Sequence, residues 1–235
     1  MNYTKEQLLK VWNGVAYRED RYWAFCLPNN TWRHTDSKWS NKKTFDDFNQ
    51  FENYVRSVQA QDIHVKTIVD GTREWVIDVD HNETDYDRIK LKNMIAHAMF
   101  SRFYAHNCTR ILYSGNRGLH IWLNTQDFDR KASKEVRSNY YKSMFPKDIN
   151  KNNSMFVQEH SLNDCFNKTF DNVWIRREIT RLYPNINLDD ANELITEFYP
   201  NVDEHIFISL KQIRAPYSYN SKGKKYSCDH ELLLE

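Results

Sequence analysis

The chain has 235 residues, 40% of them apolar and 28% charged, enough to bury a core without disulfides, which excludes both a stapled mini-protein and a disordered chain. Lys and Arg (33) nearly cancel Asp and Glu (32), so overall charge selects neither nucleic acid nor membrane as a partner, and no uncharged apolar run approaches the roughly 18 residues of a membrane span. Only five glycines stand against 14 tyrosines, 13 phenylalanines and seven tryptophans; neither a dinucleotide fingerprint nor a P-loop sequence occurs, and those folds are set aside.

In chain order, Thr4 and Gln7 form a capping box that predicts a helix to about residue 17. Residues 44–47 open a second helix with Phe48, Phe51, Val55 and Val58 on one face. Residues 63–69 and 74–80 read as strands around Gly71. A long helix follows over about 85–105, its stripe of Leu91, Met94, Ile95, Ala98, Met99 and Phe103 at helical spacing. Residues 110–114 and 119–123 are strand-like runs around Gly115 and Gly118, which predicts a hairpin. Helices are predicted near 131–144, 170–182 and 188–199, and the polar stretch 147–153 as an inserted loop. No repeat or linker divides the chain, so 1–235 reads as one domain: an N-terminal lobe to about residue 70, then a second lobe with a helical insertion near 130–200. Cys26, Cys108, Cys165 and Cys228 lie far apart with no zinc-type spacing. Lys5, Glu6 and Lys10 occupy the place of a signal peptide's apolar stretch, so an intracellular protein is expected.

The near-zero net charge conceals sorting. Residues 78–87 carry five acids and no Lys or Arg, whereas 205–227 carry five Lys or Arg and no acid. Strand alternation puts Asp78 and Asp80 on one face, with Trp75, Ile77 and Val79 on the other. Two carboxylates roughly 7 Å apart on one strand face repel unless a cation lies between them, and hard oxygen ligands suit Mg²⁺ or Mn²⁺. Ser114, Arg117 and His120 surround the Gly115–Gly118 turn and offer three kinds of donor to a triphosphate, with Asn116 beside them. The run from Lys211 through Arg214, Tyr217, Tyr219 and Asn220 to Lys222 and Lys225 interleaves bases with aromatics, a pattern for phosphate contacts and base stacking. The bland alternatives are helix capping for the acids, a hairpin turn for the glycines and a solvated face for the basic run.

In that order, Asp-x-Asp, Ser-Gly-x-Arg-Gly-x-His, then Asp203 and a basic-Ala-Pro-aromatic-Ser run resemble the catalytic subunit of archaeo-eukaryotic DNA primases. The strings REWVIDVD, YSGNRGLHIWL, FYPNVD and QIRAPYSYNSKG are similar to the baculoviral primase family, late expression factor one, over about residues 11–226. The resemblance implies an α/β (α+β) primase core: an RNA-recognition-like antiparallel sheet carrying the acidic site, an N-terminal α/β lobe and peripheral helices. It also implies primer synthesis from ribonucleoside triphosphates on a single-stranded DNA template. Asp78, Asp80 and Asp203 would be the catalytic ligands of two Mg²⁺ or Mn²⁺ ions. Ser114, Arg117, a protonated or donating His120, Arg214, Asn220 and Lys222 would bind the nucleotide, while Arg21, Trp32, Arg33, Asn116 and Lys211 would be further nucleotide or template contacts. Asn116 replaces the first of two family arginines, Arg214 a lysine and Asn220 a histidine. Only Cys108 lies between the first two motifs, so no structural zinc is expected. The implied partners are an accessory subunit, late expression factor two, and other viral replication proteins, with no membrane, in the nucleus of an infected host cell. A metal-dependent glycosyltransferase also uses Asp-x-Asp but leaves Arg117, His120 and Arg214 without a purpose; an inactive single-strand-binding subunit is the other rival.

Overall fold

The computed structural model describes residues 3–37, 42–144 and 157–232; the inserted loop expected at 147–153 lies outside them. The first lobe opens with α1 (Lys5–Gly14), whose capping box closes as expected: the Thr4 hydroxyl accepts from the Gln7 N–H and the Gln7 side chain from the Thr4 N–H. The helix ends three residues earlier than the sequence predicts. Strands β1 (Arg21–Cys26) and β2 (Trp32–His34) follow, then α2 (Phe48–Ser57), capped by Asp47, and β3 (Asp62–Ile68). The second lobe holds β4 (Val76–Asp80), the long helix α3 (Tyr86–Tyr104), and the hairpin β5 (Cys108–Tyr113) and β6 (Gly118–Leu123). The helical stretch is α4 (Lys134–Met144), α5 (Leu162–Asn167), α6 (Val173–Leu182), α7 (Ala191–Phe198) and α8 (Glu204–Ile208), and the chain ends in β7 (Ile213–Arg214), β8 (Tyr219–Asn220), β9 (Lys225–Tyr226) and β10 (Cys228–Asp229).

These strands make two four-stranded sheets and one small ribbon. The first sheet runs β2-β1-β3-β7 and the second β10-β5-β6-β4, every pairing antiparallel. In the second, the succession β4-α3-β5-β6 is completed by Val202, which makes a single antiparallel bridge to Val79 on the free edge of β4. This is the split β-α-β-β-α-β order of RNA-recognition-like sheets, with the last strand reduced to one bridge. The chain is therefore of the mixed α/β class the sequence implied.

Alternation along β4 and β6 sorts the second sheet between two cores. Ile77, Val79, Leu119 and Ile121 pack on Leu91, Ile95 and Met99 of α3. The opposite face carries Val76, Leu112 and Trp122 against Trp12, Trp23, Phe51, Ile63 and Ile213 of the first lobe. Burying side chains of this size is worth about 1.5–3 kcal/mol each, so this seam holds the two sheets together. Asp78 and His120 sit opposite one another on the same face as Val76 and Trp122. The seam is thus apolar at one end and ionisable at the other, and there it opens.

Candidate active site

The opening is a cleft of about 840 Å³ between the two sheets. Its second-sheet wall presents Asp78, Asp80, Ser114, Asn116 and His120, with Asp203 alongside; its first-lobe wall presents Trp32, Asp62, His64 and Arg214; Asn220 and Lys222 close one side. Segments more than 150 positions apart in sequence meet here because β7 crosses back to pair with β3, setting Arg214 opposite His64.

The three acids are differently held. Asp203 caps α8, accepting from the Ile206 N–H at 2.9 Å, and its own N–H donates to the Asp78 carbonyl at 2.9 Å. Burial, then the neighbouring charges of Asp203 and Asp80, push the Asp78 carboxyl up to about 7. Asp80, half exposed, pairs with Arg117 at 2.8 Å. Among the described residues no three acidic, His or Cys side chains converge in ready ligating geometry, and Asp80 is engaged by Arg117. The donor chemistry nevertheless fits a hard divalent cation: an all-oxygen set in which burial and then mutual repulsion raise one member.

His120 is buried with Nε2 3.5 Å from an Asp78 oxygen and Nδ1 unpartnered. Burial, reinforced by Arg214, pulls it down to about 3, so of the two expected forms only the neutral, donating one remains. Ser114 lines the cleft; its hydroxyl accepts from the Gly118 N–H at 3.3 Å. Gly118 is required there, because a Cβ would stand 1.7 Å from the Val79 carbonyl oxygen. Arg214 is fixed by Asp62 at 2.6 Å and by donation to the Tyr219 carbonyl. Buried Asp62 also accepts from the Ser221 N–H at 2.9 Å.

Several expected contacts are placed otherwise. Arg21 is fully buried and ion-paired with Glu74, so it is removed from the list of nucleotide or template contacts. Trp32 reaches the cleft and stands edge-on to His64, ring centroids 4.7 Å apart, but Arg33, one position on along β2, is exposed and outside the cleft lining. Lys211 is likewise exposed and outside the cleft lining. Asn220 lines the cleft as part of its frame: Nδ2 donates to the Ser114 carbonyl at 3.0 Å while Oδ1 accepts from the N–H groups of Lys222 and Gly223. Arg117 borders the site through Asp80 without lining the cleft.

Three residues went unseen in the sequence. Asp62 and His64 alternate with buried Ile63 and Val65 along β3, and starting that strand at Ile63 hid the polar face. Buried Arg73 donates to the carbonyls of Ile206 (2.8 Å), Ser209 (3.2 Å) and Lys211, clasping the linker that joins Asp203 to Arg214.

An acidic oxygen cluster facing arginine, histidine and lysine across one cleft, on an RNA-recognition-like sheet, is the equipment of a nucleotidyltransferase. The relatives agree. The chain is 37% identical over 241 aligned positions to a DNA primase of Autographa californica nuclear polyhedrosis virus, covering 100% of this chain and 84% of that protein. It is 33% identical over 232 positions to late expression factor 1 of Orgyia pseudotsugata multicapsid polyhedrosis virus, covering 96% of this chain and 86% of that protein. The chain belongs to the baculovirus DNA primase family, the late expression factor 1 proteins. No protein-family model matches it. Among solved structures, the polymerase domain of Mycobacterium tuberculosis ligase D, in complex with DNA, aligns loosely: TM-score 0.46 and 14% identity over 94% of this chain and 78% of that one.

Proposed function

We propose that this member of the primase family synthesises short RNA primers on single-stranded DNA in viral replication, with Asp78, Asp80 and Asp203 as its metal ligands. The observation that carries the reading is the composition of the cleft, where these carboxylates face Arg214 and Lys222 across about 840 Å³, room for a nucleotide beside a primer end. When bound, Mg²⁺ or Mn²⁺ supplies Lewis-acid activation of the primer 3′-hydroxyl and of the leaving pyrophosphate.

The chain's own groups do the rest. Arg214, oriented by Asp62, presents a fixed guanidinium to a triphosphate, and Lys222 adds a mobile charge. Neutral His120 and Ser114 contribute hydrogen bonds without net charge. Arg117 compensates Asp80 at rest and becomes available to phosphate as that pair opens. Trp32 and His64 offer ring surface on the wall facing the acids.

Primer synthesis on a single-stranded template with labelled ribonucleotides and Mg²⁺ or Mn²⁺ tests the reading; undiminished activity in Asp78→Ala and Asp80→Ala variants would remove the metal assignment. The same reading supplies an accessory partner, late expression factor two, and the nucleus of the infected cell as workplace. Co-purification with that subunit and nuclear imaging in infected cells test both.

A further inference from the structure

At the rim of the cleft, the turn between β8 and β9 rests backbone to backbone on the tip of the β5–β6 hairpin. A Cβ on Gly223 would stand 1.9 Å from the Gly115 carbonyl oxygen, and one on Gly115 would stand 2.8 Å from that of Lys225. With the backbones in contact at the two glycines and Asn220 Nδ2 donating to the Ser114 carbonyl at 3.0 Å, the lysines of the turn have a fixed base on the rim. Lys222, Lys224 and Lys225 are all exposed. Lys222 lines the cleft, whereas Lys225 reaches away from it, its ammonium 4.4 Å from the centroid of the Tyr86 ring.

Tyr86 is 62% exposed, on the first turn of α3. The acids that flank it are engaged: Asp85 accepts from the Arg88 N–H at 2.9 Å, and Asp87 pairs with Arg181 at 2.9 Å. Beside Tyr86 lies a groove of about 270 Å³ walled by Ile89, Lys90, Tyr113 and Cys228. Asp229 and Glu231 also border it, and Asp229 accepts from the Tyr217 hydroxyl at 2.8 Å.

We infer that Lys222, Lys224, Lys225 and Tyr86 form a track for single-stranded DNA that leads out of the cleft, with Tyr86 as its base-stacking platform. The inference rests on the primase reading and names where the template runs. The Lys225 ammonium stands over one face of this exposed ring, so an unpaired base stacks on the other face while the ammonium offsets a phosphate. Bases of a duplex are already stacked, so the platform selects the single strand. Anchoring the lysines on a backbone-locked turn lowers the ordering cost of binding.

Fluorescence anisotropy with a labelled single-stranded oligonucleotide, on the full chain in EDTA without nucleotide, tests this apart from catalysis. Tyr86→Ala is expected to weaken binding about fivefold or more; Tyr86→Trp restores it and Tyr86→Leu does not. The Lys224→Gln/Lys225→Gln double variant is expected to lower the slope of log affinity against log salt by about 1.4, two contacts at roughly 0.7 each. Thermal melts confirm that each variant folds. Affinity within twofold of wild type in Tyr86→Ala, an unchanged salt slope, equal losses for duplex and single strand, or a wild-type chain that does not bind the single strand would each overturn the track. Loss of binding in the variants, with no primer synthesis by wild type even when the accessory subunit is supplied, would sink the primer-synthesis reading and leave the track standing as a single-strand-binding surface.

Discussion

The backbone N–H of Asp203 donates to the carbonyl of Asp78 at 2.9 Å, so two candidate metal ligands 125 positions apart in sequence are joined by a main-chain bond. The Val79–Val202 bridge makes this the last rung of the sheet, and the placement of Asp203 follows from strand pairing instead of from a loop. Asp203 also caps α8, a duty that asparagine performs equally well. Asp203→Asn should therefore leave the melting temperature unchanged while lowering primer synthesis on the order of 10²-fold. Asp203→Ala should show the same loss plus about 1 kcal/mol of destabilisation from the missing cap. Chelation should abolish synthesis by wild type and spare binding to single-stranded DNA. Full activity in Asp203→Asn would end its assignment as a ligand.

Proton linkage gives the metal-free protein a distinctive pH profile. Asp78 titrates at about 7 in the folded chain and near 3.9 when unfolded. Between those values the folded state holds a proton that the unfolded state has released, so stability falls as pH rises through this window. His120 acts in the opposite sense. It stays neutral down to about 3 against about 6.5 unfolded, so its contribution is complete above about 6.5 and is lost as pH falls toward 3. Between about pH 4 and about 6.5 the two contributions oppose each other in wild type, so in thermal melts in EDTA Asp78→Asn should lose stability more steeply than wild type as pH falls through that window, and should lack the wild-type loss as pH rises from about 6.5 to about 7. A uniform shift at every pH would contradict the Asp78 assignment.

What the sequence made legible was whatever depends on local period and spacing. The alternation Trp75-Val76-Ile77-Asp78-Val79-Asp80 correctly put both acids on one strand face, and Gly115 with Gly118 marked the hairpin. Illegible were the features created by distant pairing. Nothing local in Ile213–Arg214 says that it joins β3, so the partnership of Arg214 with Asp62 was invisible. The run of β1 is buried at nearly every position and shows no polar alternation, so local period marks no strand there even though Pro28, Asn29 and Asn30 punctuate its end. Arg21 shows the limit of positional analogy: an arginine at an expected place is here consumed in a buried pair with Glu74. Val202 was hidden for a simpler reason, because one bridging residue has no period.

Arg73 connects the two halves of the site. Its guanidinium is fully buried and donates to the Ile206, Ser209 and Lys211 carbonyls, while Arg137 donates to the Arg73 carbonyl at 2.7 Å and stacks 4.7 Å from the Trp75 ring centroid. Arg73→Met would leave those carbonyls without their donor, at a cost of about 3 kcal/mol in urea unfolding. Arg73→Lys cannot reproduce the planar fork and should recover less than half of that. In both variants the KM for nucleotide should rise, because the linker from Asp203 to Arg214 loosens. An unchanged KM in a destabilised variant would reduce Arg73 to a purely structural residue.

Two glycine substitutions separate close packing from local conformation. A Cβ on Gly118 would meet the Val79 carbonyl oxygen at 1.7 Å, a backbone atom that moves only with β4, whereas a Cβ on Gly71 would meet nothing within 4 Å and faces only the strain of its φ of +83°. Gly118→Ala should cost about 3 kcal/mol or more and displace Asp80, its register partner, with loss of primer synthesis. Gly71→Ala should cost about 1 kcal/mol and leave activity intact. Equal destabilisation of the two variants, measured by urea titration, would show that the β4–β6 contact is looser than its geometry indicates.

Asp62 and Arg214 supply the sharpest division between binding and turnover. Asp62 is buried, holds Arg214 at 2.6 Å and ties down the Ser221 N–H at 2.9 Å, so it orients the guanidinium and the start of the turn that carries Lys222. Asp62→Ala leaves a partly buried guanidinium without its counter-ion, a loss on the order of 3 kcal/mol. It also frees Arg214 from its fixed direction, so the nucleotide KM should rise about tenfold while kcat changes less than threefold, the pattern of lost ground-state binding. Asp62→Asn keeps the acceptor for Ser221 and removes the charge. Its KM should fall between wild type and Asp62→Ala, with most of the stability restored. If kcat instead collapses in Asp62→Asn at unchanged KM, Asp62 acts on the reacting atoms themselves, and Arg214 is not the group it serves.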